Sequence, residues 1–121
     1  MPKVLIVDDS QSALYTLRKL VEQAGHQALT CDSGEQALRL AAEEMPEVIL
    51  MDIVMPGMSG YTATRQLHRS GSTQNIPVIF VSSKDGEADR DWGLRQGARG
   101  YVTKPVDPQA LLRAITNAIA A

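Results

Sequence analysis

Two periodicities take turns along this 121-residue chain. Val4-Leu-Ile-Val7, Val48-Ile-Leu-Met51 and Pro77-Val-Ile-Phe-Val-Ser82 are short, almost wholly apolar runs, the pattern of strands buried on both faces of a parallel sheet. Gln27 to Cys31 is weaker and polar-flanked, as an edge strand would be, and Tyr101-Val-Thr103 is a short fifth strand. Between them the apolar spacing becomes helical. Ser10 caps a helix from about Gln11 to Ala24, with Ala13, Leu14, Leu17, Leu20, Val21 and Ala24 on its inner face and Gly25 as its stop. Ser33-Gly-Glu-Gln36 is a capping box for a second helix that turns Ala37, Leu38 and Ala41 inward and ends at Pro46. A third helix starts at Ser59 or Gly60, runs to about Arg69 with Leu67 inward, and gives way to a surface loop, Ser70 to Asn75. The fourth, Asp85 to Gln96, has a poor apolar stripe and carries Gly86 and Gly93, so it is expected to be the least stable. Asp107 as cap and Pro108 as first residue open the last helix, whose buried face is Leu111, Leu112, Ile115, Ala118 and Ile119. Strand and helix thus alternate five times, which predicts an α/β fold with a doubly wound parallel sheet.

Composition narrows the class. Hydrophobic residues make up 44% and charged residues 21%, enough apolar material for a packed core and too much for a disordered chain. The length suits one domain spanning residues 1–121, with no linker, repeat or output domain expected. A net charge of −2 with the two signs interspersed lacks the basic footprint of a nucleic-acid binder. No apolar run approaches the roughly 18 residues that span a bilayer, and Met-Pro-Lys leads into a strand without a signal-peptide pattern, so a cytoplasmic protein off the membrane is expected. Cys31, the single cysteine, excludes an internal disulfide and is expected as a small buried strand residue. His26 and His68 show no metal-ligand spacing and are expected at the surface.

The chemistry gathers at strand ends. Strand one ends in Asp8 and Asp9, strand three in Asp52, strand four in Ser82 and strand five in Lys104. Alone, each aspartate and Ser82 reads as an ordinary cap or turn residue and Lys104 as a solvated charge. Together they occupy the carboxyl edge of a parallel sheet, where open α/β folds bind ligands. Three converging carboxylates repel one another unless cations intervene. One ammonium from Lys104 and one divalent cation bring such a cluster to formal neutrality, and Mg2+ suits an open site of carboxylates, waters and phosphate oxygens. A carboxylate nucleophile, a metal and positive charge beside the transferring group are what phosphoryl transfer needs. Asp52 is the expected nucleophile.

The set Val7-Asp8-Asp9, Met51-Asp52 with Met55-Pro-Gly57, Ser82-Ser83, and Lys104-Pro105 resembles the receiver domain of two-component response regulators, over the whole chain. That resemblance implies a five-stranded sheet of order 2-1-3-4-5 with five helices on its two faces. It implies that Asp52 accepts a phosphoryl group from a histidine kinase, that Asp9 and Asp52 bind Mg2+ directly with the backbone carbonyl of Val54, and that Asp8 acts partly through water. Lys104 matches the charge partner of the phosphoryl group, Ser82 the hydroxyl and Tyr101 the aromatic of the family's switch, and Lys104-Pro105 its cis peptide bond. Trp92-Gly-Leu-Arg-Gln-Gly-Ala98 and Thr103-Lys-Pro-Val106 are most similar to small stand-alone receivers of type IV pilus, twitching-motility chemosensory systems.

On this reading Ser82 turns its hydroxyl onto the phosphoryl group, Lys104 pairs with another oxygen, and Tyr101 rotates into the space Ser82 leaves. The surface of the fourth helix, fifth strand and fifth helix then changes for a protein target, the chain being a monomer or weak dimer. Val54 and Lys84, two residues beyond Asp52 and Ser82, are positions that tune dephosphorylation in the family. Trp92 is a partner anchor if exposed and core if buried. Three rivals remain open: a Mg2+-dependent aspartyl phosphohydrolase, which usually carries an acid where Val54 stands; a flavin or nucleotide module, for which Asp8-Asp9 replaces the needed Gly-rich turn; and a receiver-like scaffold. A phosphate sink without a direct target is the alternative within the family.

Overall fold

The computed structural model describes residues 1–120. Five strands and five helices alternate: β1 Lys3–Val7, α1 Gln11–Gln23, β2 Gln27–Cys31, α2 Gly34–Glu44, β3 Val48–Met51, α3 Gly60–Arg69, β4 Val78–Ser82, α4 Glu87–Arg95, β5 Gly100–Thr103 and α5 Pro108–Ala120. The strands form one parallel sheet in the order β2-β1-β3-β4-β5, which is the expected fold, with the polar-flanked β2 at an edge. Successive strand residues point to opposite faces. Val4, Ile6, Val48, Leu50, Ile79 and Val81 therefore pack with Leu14 and Leu17 of α1 and Leu111 and Ile115 of α5. Leu5, Val7, Ile49, Met51 and Phe80 pack on the other face with Ala37 and Ala41 of α2 and Ala63 and Leu67 of α3. Among the described residues no helix is long and apolar enough to cross a membrane.

Register places the strand ends side by side. Val7 lies opposite both Cys31 and Met51, and Ser82 lies opposite Thr103. The ladder runs one residue further on each strand: the Asp52 amide donates to Val7 O at 2.9 Å, the Asp8 amide to Cys31 O at 3.2 Å, and the Lys104 amide to Ser82 O at 2.8 Å. Asp8 and Asp52 leave adjacent strands at the same height for this reason.

The helix starts follow the sequence signals. Ser10, Ser33 and Ser59 each accept the amide three residues on. In the predicted capping box, Gln36 Oε1 accepts the Asp32 amide at 3.4 Å, one residue before the cap. Elsewhere the molecule departs from the reading. Ala24 is an exposed C-cap and not an inward helix residue. α4 begins two residues later than predicted, so Gly86 is its N-cap and only Gly93 is interior. The loop after α3 is not all surface, because Thr73 is buried and its hydroxyl donates to the Leu67 carbonyl at 2.6 Å, closing the helix end. His26 and His68 are half-buried, His68 with Nε2 3.2 Å from Ile76 O. Cys31 is buried as expected, and burial pushes its thiol up to about 11.

Gly60, the first residue of α3, lies where the helix crosses the end of β3. A Cβ there would strike the Asp52 carbonyl oxygen and stand 2.9 Å from Ile53 Cα. Backbone cannot yield as a flexible side chain does, so Gly60→Ala is expected to cost roughly 2–3 kcal/mol in urea denaturation. An exposed helical glycine gives the opposite sign, a gain of up to ~1 kcal/mol. A gain at Gly60 would show that α3 does not press on the Asp52 segment.

Candidate functional site

The three aspartates and Lys104 meet in one pocket. Asp8 and Asp52 are buried, Asp52 with 8% of its surface exposed, and Asp9 sits at the exposed rim. One carboxylate oxygen from each lies within 4.8 Å of the others. Asp8 Oδ1 accepts the Ser10 amide at 2.9 Å, and Asp52 Oδ1 accepts the Ile53 amide at 2.8 Å, which fixes the planes of both carboxylates. Lys104 reaches across from the end of β5. Its Nζ is 2.6 Å from Asp8 Oδ2 and 3.8 Å from Asp52 Oδ2, so the ammonium is paired with Asp8 and only leans toward Asp52.

One ammonium does not balance three carboxylates. Burial, then the neighbouring Asp8, push the Asp52 carboxyl up to about 6; Lys104 and the Ile53 amide oppose this, and Asp9 adds to it. The donor set is all oxygen, partly buried and negatively overcharged, with one carboxylate at the rim. Those features fit a hard divalent cation that keeps some of its waters.

The other expected residues fall around this pocket. Ser82, fully buried, accepts the Lys84 amide on Oγ at 3.2 Å. Tyr101 is only 8% exposed, and its hydroxyl donates to the Lys84 carbonyl at 2.6 Å. The inward rotation expected to follow phosphorylation is therefore already the arrangement here. The ring lies against Gly93, where the missing side chain leaves it room. Val54 is 59% exposed in the loop after Asp52, and Lys84 is exposed after Ser82. The Lys104-Pro105 peptide is cis. Trp92 is half exposed, its ring meeting Tyr61 edge-on at a centroid distance of 6.4 Å.

Sequence reasoning missed three contributors. The Ile53 amide that holds Asp52 is backbone and leaves no side-chain signal. Gly60 was visible only as a helix start, although a glycine directly after a serine cap is a signal of close approach. Arg90, whose guanidinium carbon lies 5.5 Å from the Tyr101 ring centroid, sits in a helix too polar for its inner face to be read.

A profile of the response regulator receiver domain matches residues 4–116. The chain belongs to the response regulator receiver family. Protein PilH of Pseudomonas aeruginosa is 52% identical over 120 residues, and the match covers 99% of each chain. Among solved structures, a putative response regulator from Chloroflexus aurantiacus superposes with a TM-score of 0.95 at 28% identity, covering 99% of this chain and 98% of that one. The receiver domain of a sensor histidine kinase from Pseudomonas aeruginosa, with a magnesium ion coordinated in its active site cleft, superposes with a TM-score of 0.91 at 26% identity, with the same coverages. Receiver domains are phosphoacceptors, and this receiver's acidic pocket lies at the sheet edge where such chemistry is expected.

The raised Asp52 pKa has a sign. The folded receiver holds the Asp52 proton more tightly than the unfolded chain, whose carboxyl titrates near 3.8. Ionising Asp52 therefore removes stability as pH rises from about 4 to about 6, and the full loss stands above that window. Metal-free Asp52→Asn is expected to be more stable than the native receiver at neutral pH by about 1–3 kcal/mol. The difference should fade toward pH 4. Urea denaturation in chelator across that range measures it, and a variant less stable than native at neutral pH would contradict the assignment.

Proposed function

We propose that this chain is a stand-alone, cytoplasmic response regulator that takes a phosphoryl group from a histidine kinase onto Asp52 in a Mg2+-dependent reaction. It signals through a protein target and not through nucleic acid or membrane. The single observation that carries this is the pocket in which Asp8, Asp9 and Asp52 bring carboxylate oxygens within 4.8 Å of one another under the Lys104 ammonium. The near-full-length likeness to Protein PilH supports the pilus-type chemosensory setting that the Trp92–Ala98 and Thr103–Val106 segments resemble.

In the transfer, an Asp52 carboxylate oxygen attacks phosphorus, the phosphorus–nitrogen bond of the donor phosphohistidine breaks, and the leaving imidazole takes up a proton. Asp8, Asp9, Asp52 and the Val54 carbonyl would hold the cation, which supplies charge neutralisation at the phosphoryl oxygens. The Ile53 amide fixes the nucleophile's carboxylate plane, and the buried floor of β1 and β3 limits water beneath it. Transfer places a group of roughly −2 charge where Asp52 carried −1. Lys104, already within 3.8 Å of Asp52, shifts its pairing from Asp8 toward the new oxygens. Ser82 turns its hydroxyl to the same group and so gives up the Lys84 amide. Because the Lys84 carbonyl carries the Tyr101 hydroxyl, one residue conveys the change from the pocket to α4, β5 and α5.

Phosphotransfer from a phosphorylated histidine kinase, followed by mass spectrometry, is expected to place the label on Asp52 in the presence of Mg2+, with no label on Asp52→Asn. Label on another residue, or transfer that ignores chelator, would overturn the proposal. Val54 and Lys84, an apolar branched side chain and a long cation beside the pocket mouth, are expected to misorient the attacking water. The double variant Val54→Asn, Lys84→Glu should lose its phosphoryl group faster by roughly ten- to a hundredfold, since small misplacements of a reactant carry costs of that order. Equal lifetimes would remove these two residues from the account.

A further inference from the structure

α4 grips the rest of the molecule lightly. Gly93 is its one buried residue, and its two large apolar side chains, Trp92 and Leu94, are about half exposed. What α4 does hold is Tyr101. The ring lies against Gly93 so closely that a Cβ there would stand 3.1 Å from Tyr101 Cδ2, 3.2 Å from its Cε2 and 3.0 Å from Phe80 Cδ2. One turn earlier, Arg90 lays its guanidinium over the ring, 5.5 Å from the centroid. Phe80 meets the ring edge-on at 6.3 Å, and the hydroxyl is tied to the Lys84 carbonyl. The ring itself is held by α4 and β4, and its tie toward the acidic pocket runs through the hydroxyl alone, at the Lys84 carbonyl and beside Ser82.

We propose that Arg90 and Gly93 hold Tyr101 inward before any phosphoryl group arrives, which makes Arg90 a positioning residue for the switch and α4 the element that sets its resting state. The inference that the target-facing surface is thereby already shaped in the unmodified chain rests on reading Tyr101 as the switch aromatic. The position of the ring does not. Gly93 supplies the space, since a Cβ there would crowd the Tyr101 and Phe80 rings and make them give way, and Arg90 supplies attraction to the ring face. Phosphorylation then acts on a ring that is already seated, by loosening its tether at Lys84.

Limited ring iodination of the unphosphorylated full chain, read by mass spectrometry, tests this with an internal reference. Tyr15 is 56% exposed and reports the unhindered rate, while Tyr101 reacts only through its outward population. Native protein is expected to label Tyr101 far more slowly than Tyr15. Arg90→Ala should raise the Tyr101-to-Tyr15 ratio about two- to fivefold, the range of a partly exposed cation–π contact, and Arg90→Lys should return most of the protection. Gly93→Ala should raise it roughly tenfold or more while the chain stays folded by circular dichroism. If that variant does not fold, the Arg90 pair still decides. The same ratio is expected in Asp52→Asn, so a failed phosphotransfer assay would leave this result standing, and the reverse. A Tyr101 as reactive as Tyr15 in native protein would overturn the proposal. So would an unchanged ratio in Arg90→Ala, or a rise in Arg90→Lys as large as in Arg90→Ala.

Discussion

The interaction on which the rest depends is the repulsion among three carboxylates set at one height by strand register and held there by backbone. Asp8 and Asp52 cannot separate, because each continues the hydrogen-bonded ladder of its strand, and Val4–Val7 and Val48–Met51 before them are buried. Asp52 cannot rotate away either, since the Ile53 amide holds one oxygen. Lys104 relieves only part of the strain and does so mainly at Asp8. The result is a site that attracts positive charge and an Asp52 whose ionised form is less comfortable folded than unfolded. The missing positive charge is what a hard divalent cation would bring.

From that pocket the route outward is short. Lys84 touches both Ser82, through its amide, and Tyr101, through its carbonyl, so one peptide segment links the buried hydroxyl to the ring beneath α4. α4 itself is bound to the sheet chiefly by a glycine, an aromatic ring and an arginine. An element with so few buried contacts belongs at the low-stability end of the structure, from which switching parts are drawn. The other face of the molecule is built differently. There α1 and α5 sink Leu14, Leu17, Leu111 and Ile115 into a continuous apolar layer, which makes it the rigid side against which the pocket is held.

Much of this was legible beforehand for one reason: the strands are buried on both faces, so their composition announces them and their first polar residue marks the edge. Val4–Val7, Val48–Met51 and the run to Ser82 specified the sheet, and the charges that follow them specified the pocket. Serine caps at positions 10, 33 and 59 fixed three helix starts to within a residue. Illegible parts depend on partners distant in sequence or on backbone. Thr73 looked like loop until its hydroxyl met the end of α3. Gly93 looked like a defect in a helix, yet it is the space that Tyr101 fills. The partners of Tyr101 are illegible for the same reason, because Arg90 and the Lys84 carbonyl carry no local signature of an aromatic neighbour.

The central proposal is that the crowded carboxylates of this pocket take a divalent cation to balance their charge. Thermal melting at neutral pH with increasing Mg2+ tests it most directly, using the native chain beside Asp9→Asn. Native protein should gain melting temperature steadily as Mg2+ rises above its dissociation constant, as any ligand of the folded state requires, and Asp9→Asn should gain far less. A native melting temperature that ignores Mg2+, or an Asp9→Asn protein that responds as strongly as native, would contradict it.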